Sequence, residues 1–388
     1  MSEKSPTANN NNDDDEKLQS SNPMDIVEND LIELESQLAA KICSDETNIE
    51  QQGYRFHRQT LISIKANCLY RAEILSRQSN QPIVCKIIPL DNATFARSRD
   101  KENFLMNAIR IIRFVCGYNR TEPRHPMFIH VYEIFKIDSK IYIFMDECQD
   151  YNNILYMIKH HQKFTQSEGR KWMQLICDAI LFLHRHGIAH RSIKMENILI
   201  PIGGDGNEPK LCGLSRSVIY IDRINSNQIV KQKREIRSYD YYHLPPESFC
   251  ESYYNPAMAD IWSLGVLLTA IHTKRYVFNV KSKIDFQQQW KTFELKHKIN
   301  PIIANLLDAI FHNNPSERLT LKAIIDHEYF RVSEDRIEIT TDQTTTVSES
   351  RLMVVMNNNE TKQSDEIPKL LTANESNTNT TIINNSPK

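Results

Sequence analysis

Apolar and polar residues alternate with different periods in different parts of the chain. From Met24 to Cys43, Val27, Leu31, Leu34, Leu38 and Ile42 recur at helical spacing with Glu28, Asp30, Glu33 and Glu35 on the other faces. That pattern predicts a helix over 24–43, either lying on the domain body or offered to a partner. Between Pro82 and Ile88 the period falls to two, with Ile83, Cys85 and Ile87 on one side and Lys86 on the other, as in a strand. Trp172, Leu175, Ile176, Ala179 and Leu183 return to helical spacing and predict a long helix over 167–186. Strand-like and helix-like patterns alternate from Tyr54 to about Phe330 and hold most of the aromatic residues, as one packed body requires. Outside it the chain turns to Asn, Asp, Ser and Thr, which cannot anchor a core. The predicted organisation is a disordered acidic segment over 1–53 containing the helix 24–43, a folded body over 54–330 and a disordered Ser/Thr/Asn-rich tail over 331–388.

Composition agrees with such a body. Of 388 residues 25% are charged and 40% hydrophobic, and the formal net charge of -2 supplies no general attraction to nucleic acid or to an anionic membrane. The first residues are polar and acidic, without the basic and apolar regions of a secretory signal, and no apolar run is long enough to span a bilayer. The eight cysteines show no CxxC pair or metal-ligand spacing, which predicts separately packed thiols in a cytoplasmic or nuclear protein.

Several short motifs then follow one another in a telling order. They are Pro82-Ile83-Val84-Cys85-Lys86-Ile87-Ile88, His125-Pro126-Met127-Phe128-Ile129, Lys140 to Glu147, His190-Arg191-Ser192-Ile193-Lys194-Met195-Glu196-Asn197, Pro245-Pro246-Glu247, Asp260-Ile261-Trp262-Ser263-Leu264-Gly265 and Arg318. Together they resemble the eukaryotic protein kinase superfamily, of serine/threonine type, with Asp-Ile-Trp-Ser-Leu-Gly similar to its calcium/calmodulin-dependent-kinase-like branch. The resemblance implies an α+β, bilobal protein kinase fold with a small β-rich lobe and a larger helical one. It also implies Lys86 on the nucleotide phosphates, Met145 as gatekeeper, Asp146 to Cys148 as the backbone that would hold an adenine, and a buried bidentate pair between Glu247 and Arg318.

Against that pattern the residues of the chemistry have changed. Ser192 stands where the family carries its catalytic aspartate, and loss of a positioned base is worth about 10²- to 10⁴-fold in rate. The glycine-rich loop has Ile62, Ile64 and Asn67 where glycines belong. Lys210-Leu211-Cys212-Gly213-Leu214-Ser215 replaces Asp-Phe-Gly-Leu-Ser, either because Leu211 and Cys212 stand for the Asp and Phe or because both were deleted. In both registers the metal carboxylate is gone, and Asn197 remains as one neutral oxygen ligand. The acid that clamps Lys86 in the family is either Glu102 or, in the alternative register, replaced by Ala108. Lys231 to Arg237, in the counterpart of the activation loop, is either a solvated basic loop or a docking site for an acidic partner.

The resemblance therefore implies a pseudokinase that binds a protein partner, an active kinase among the candidates, as scaffold or allosteric effector. Its altered positions are Lys86, Ser192, Lys194 and Asn197, with no metal site, and ATP at most without proper magnesium. The alternative is a weakly active or atypical serine/threonine kinase using Lys86, Lys194 and Asn197, and a third reading is a switch that binds ATP without magnesium.

Overall fold

The computed structural model describes residues 41–63, 68–76, 82–89, 101–118, 120–202, 208–222, 228–233, 242–250, 253–279 and 285–332. Residues 24–40 of the expected helix over 24–43, Ile64, Asn67, and both predicted disordered tails except residues 41–53 and 331–332 lie outside these ranges. The side chains of Ile62 and Glu102 also lie outside the description.

The small lobe is built on one six-stranded sheet. Its strands are β1 (Lys41–Ile42), β2 (Tyr54–Ser63), β3 (Cys68–Ile74), β4 (Ile83–Pro89), β5 (Val131–Ile137) and β6 (Lys140–Asp146), in the order β1-β5-β6-β4-β3-β2. β4 is central, with Lys86 opposite Leu69 of β3 and Ile143 of β6. The alternation expected there is incomplete: Val84 and Ile88 are as buried as Ile83, Cys85 and Ile87, because a central strand is covered on both faces. Tyr54, Phe56, Tyr70, Phe135, Tyr142 and Phe144 pack as the apolar layer on one side of this sheet.

The start of the packed body needs correction. Tyr54 is not its beginning, and residues 41–42 are strand and not the end of a helix. β1 pairs in parallel with β5, Lys41 opposite Phe135, and helix α1 (Glu46–Gln51) follows, capped by the Asp45 side chain on Asn48 N at 3.0 Å. Ile49 is fully buried, and the Tyr142 hydroxyl donates to Glu46 Oε1 at 2.9 Å. A two-residue strand has no period to read, and a six-residue helix with one buried residue has no apolar stripe.

Helix α2 (Lys101–Val115) packs beside the sheet and buries Ala108, Ile109, Ile111, Ile112, Phe114 and Val115. Below it, β7 (Tyr151–Asn153) and α3 (Ile154–Lys159) lead into the long helix α4 (Gln166–Arg185), started by a capping box between Thr165 and Glu168. Of its predicted apolar face, Trp172, Ile176, Ala179 and Leu183 are buried and Leu175 half-buried. β8 (Ile188–Ala189), β9 (Ile198–Pro201), β10 (Lys210–Leu211) and β11 (Val218–Ile219) form short ladders, β7-β9-β10 and β8-β11, that carry the loops of the cleft. After α5 (Glu247–Cys250), helix α6 (Pro256–Thr273) is buried on nearly every side. A Cβ on its Gly265 would lie 2.7 Å from Ile310 and Phe311, so only glycine permits that approach. Helices α7 (Phe286–His297), α8 (Pro301–Ile310) and α9 (Leu321–Ile325) complete the larger lobe. The result is the expected α+β, bilobal kinase architecture. No helix among the described residues is long and apolar enough to cross a membrane.

Candidate functional site

The loop from His190 to Asn197 is held from beneath by a single carboxylate. Asp260, fully buried in the first turns of α6, accepts from the backbone N–H of His190 and of Arg191, both at 2.7 Å, and lies 3.0 Å from His184 Nε2. These charge-assisted bonds hold Arg191 at a φ of 60°, a left-handed conformation costly for a side-chain residue. His190 Nδ1 accepts from Ser192 N at 3.2 Å, which assigns the proton to Nε2. Burial pulls the His190 pKa down to about 4, so the ring is neutral at neutral pH.

Ser192 and Asn197 are joined to each other. Asn197 Nδ2 donates to the Ser192 carbonyl at 2.7 Å and to its Oγ at 2.9 Å. The hydroxyl thus accepts from a neutral amide, and a neutral hydroxyl is no general base near pH 7. Lys194 is partly buried in the same loop, next to a cavity of about 20 Å³ shared with Arg191, Ser192, Arg216 and His243. That volume holds little more than one water molecule.

Burial lowers the pKa of Lys86 on β4, and Cys212 opposes the shift. Among the described residues no carboxylate pairs with it. Ala108, one of the two candidates to face it, is a buried residue of α2. After the hairpin Leu211, two residues before Gly213, is buried in β10 opposite Ile198, and Cys212 follows it. Cys212 N donates to the Asn197 carbonyl at 2.8 Å, and a Cβ on Gly213, at φ 93°, would meet Asn197 Nδ2 at 2.5 Å. Burial, with Cys148 adding to it, pushes the Cys212 thiol up to about 12 against Lys86 and Lys210, so it is a neutral thiol. Among the described residues, no three His, Cys, Asp or Glu side chains converge as a metal cage. A thiol, a hydroxyl and a bound amide are poor donors for a hard dication, which takes carboxylate and phosphate oxygens.

At the end of β6, Met145 lies between Val84 and Val131. Asp146 N donates to the His130 carbonyl and Glu147 N to that of Pro82, at 3.1 and 2.9 Å. These two amides are therefore engaged within the protein, whereas the Cys148 N–H makes no hydrogen bond to another described residue. Burial lifts the Cys148 thiol to about 11. Farther down, Arg318 Nη1 and Nη2 meet Glu247 Oε1 and Oε2 at 2.7 and 2.6 Å, the bidentate pair expected from the motifs, and Arg318 also donates to the His312 and Met258 carbonyls. His184, which helps to hold Asp260, escapes sequence reasoning because nothing in the apolar stripe of α4 marks one polar residue as an anchor.

Residues 72–330 match the protein kinase domain family, and the chain belongs to that family. It is 26% identical over 212 residues to CBL-interacting serine/threonine-protein kinase 13 of Arabidopsis thaliana, covering 54% of this chain and 40% of that protein. Calcium-dependent protein kinase 24 of Arabidopsis thaliana is 25% identical over 227 residues, covering 55% and 36%. Aurora kinase C of Mus musculus is 24% identical over 216 residues, covering 55% and 73%. The matched part of the chain spans less than half the length of the two plant relatives.

Proposed function

We propose that the chain is a pseudokinase: a serine/threonine-kinase-like body that acts as a scaffold or allosteric partner of another protein, an active kinase being the favoured class. The observation that carries this reading is the pairing of Ser192 with Asn197 beside a neutral Cys212, where phosphoryl transfer calls for an aspartate base and a metal carboxylate. Lys86 and Lys194 remain as cations that would hold phosphate oxygens, without an acidic group among the described residues to place magnesium between them. The protein works without a resident metal, in the cytoplasm or nucleus, on a protein surface and not on nucleic acid or membrane.

A thermal melt tests it. A ligand selective for the folded state raises stability by mass action, so ATP at millimolar concentration should move the midpoint by less than about 1 °C, with magnesium or with EDTA. A large magnesium-dependent shift overturns the reading. A shift in EDTA alone would favour a nucleotide switch.

One observation favours a second reading, a weakly active kinase. The Asp260 anchor beneath the His190 loop is complete, so the loop is shaped for catalysis even with Ser192 in it. Labelled phosphate entering a generic peptide from purified protein, and lost in Lys86→Met, would establish that reading instead.

A further inference from the structure

A chain of charges joins the amino-terminal strand to the far end of α2. Lys41 in β1 places Nζ 2.5 Å from Glu133 Oε2, and Glu133 Oε1 lies 2.9 Å from Nη2 of Arg113 in the last turn of α2. The Glu133 side chain is 4% exposed and that of Arg113 1%, so one buried carboxylate is shared by two cations. Arg113 also donates to the Ile134 carbonyl at 3.3 Å and lies 4.0 Å over the Tyr118 ring, whose hydroxyl is 3.4 Å from Glu133 Oε2. The aim of Glu133 follows from its strand. The β5 register against β6 slips between Val131 and Glu133, and such an irregularity turns a side chain out of the regular alternation. The Ile134 N–H then holds Oε1 at 3.0 Å.

β1 itself is lightly attached. It contributes two residues to the ladder, extended by a bond from Cys43 N to the Lys136 carbonyl at 3.0 Å. Short edge elements with few backbone bonds are the first to open. By contrast α2 is deeply buried, and it packs on the turn Leu214–Arg216 and on β11, the segment that leaves the cleft after Cys212 and Gly213.

We propose that residues 41–51 form a strap on the β5 edge whose docking, transmitted through Lys41, Glu133 and Arg113, fixes α2 and the segment after Gly213. Release of the strap leaves the Glu133 carboxylate with one cation in place of two and opens its surroundings to water, which loosens the end of α2. The device makes the amino-terminal segment a regulator of the cleft and holds whether or not the cleft transfers phosphate.

Hydrogen exchange read by mass spectrometry on the full chain tests the strap, comparing the unaltered protein with Lys41→Met and Cys43→Pro. The Lys41 side chain is 46% exposed, so the methionine leaves the core as it was, while the proline removes the donor to Lys136. Exchange should rise about tenfold in peptides covering 107–118 and 214–219 in Lys41→Met, with β4 and β6 at their original rates. Cys43→Pro should show the same pattern more strongly. Unchanged exchange over 107–118 in Lys41→Met overturns the proposal, as does an equal rise in α2, β4 and β6, which would mark general destabilisation. Should Cys43→Pro lower protection everywhere, Lys41→Met alone decides.

Discussion

The polar groups that grip the backbone and those that would grip a ligand have fared differently in this molecule. Asp260 holds two amides and an imidazole, and Glu247 and Arg318 close on each other twice. A few residues away the Ser192 hydroxyl accepts from the neutral Asn197 amide, and Cys212 is a neutral thiol. The first set is buried and would leave unpaired charge if broken, so the fold depends on it. The second set faces a cleft, where its charge matters to a ligand and hardly to folding. Breaking the first set therefore costs stability, and changing the second leaves the body standing.

The largest effect should come from breaking the buried pair. Arg318→Ala leaves Glu247 as a buried, unpaired carboxylate, and such losses cost about 3 to 5 kcal/mol. Denaturant unfolding should show that drop, and a loss under about 1 kcal/mol would mean the anchors are not what holds the larger lobe.

Next comes acid. The folded chain holds His190 at about 4, below the ordinary value near 6.5, so the unfolded chain takes up the proton first as pH falls. Stability is full above about 6.5, is lost between 6.5 and about 4, and changes no further from this group below that. At about 1.4 kcal/mol per pKa unit the loss is on the order of 3 kcal/mol. His272, lowered to about 3 by burial, extends the window downward. Urea midpoints at pH 7 and pH 4.5 should differ accordingly, and His190→Gln should flatten the difference; a variant with the original pH slope would show that this imidazole is not the group responsible.

Asp260→Asn keeps the shape and removes the charge, weakening hydrogen bonds worth about 1.5 to 3 kcal/mol each to a charged group. Faster amide exchange at 190–192 should accompany the loss. Protection unchanged there would place the support of the loop elsewhere.

The smallest effect belongs to the cleft. Ser192→Asp should shift stability by no more than about 0.5 kcal/mol, as expected away from the core, and should give no phosphate transfer to peptide because Cys212 still supplies no metal ligand. Transfer gained by that one change would show that the reacting positions are more complete than their contrast with the anchors implies.

Much of the architecture is legible in the residues alone. The order of motifs from Lys86 to Arg318 carries the α+β, bilobal kinase fold, and the Glu247 and Arg318 pair is readable because each sits in a recognisable local pattern. The exchange at Ser192 is visible for the same reason. The start of the folded body is not, since β1 and α1 are too short to show a period and are ordered by the β5 edge, Tyr142 and the β2 arginines Arg55 and Arg58. Local spacing also gives no sign that Leu211 pairs with Ile198, a contact made only where β10 meets β9 in the folded chain.

By itself the order of residues determined which architecture forms, because motif order is written in local spacing and residue type. Tertiary structure alone decided that Asn197 is tied to Ser192, that the Cys212 N–H meets the Asn197 carbonyl, and that Lys41 reaches α2 through Glu133. Such pairings join residues whose partners are set by the folded chain, and their geometry depends on ladders and bulges that no local pattern specifies.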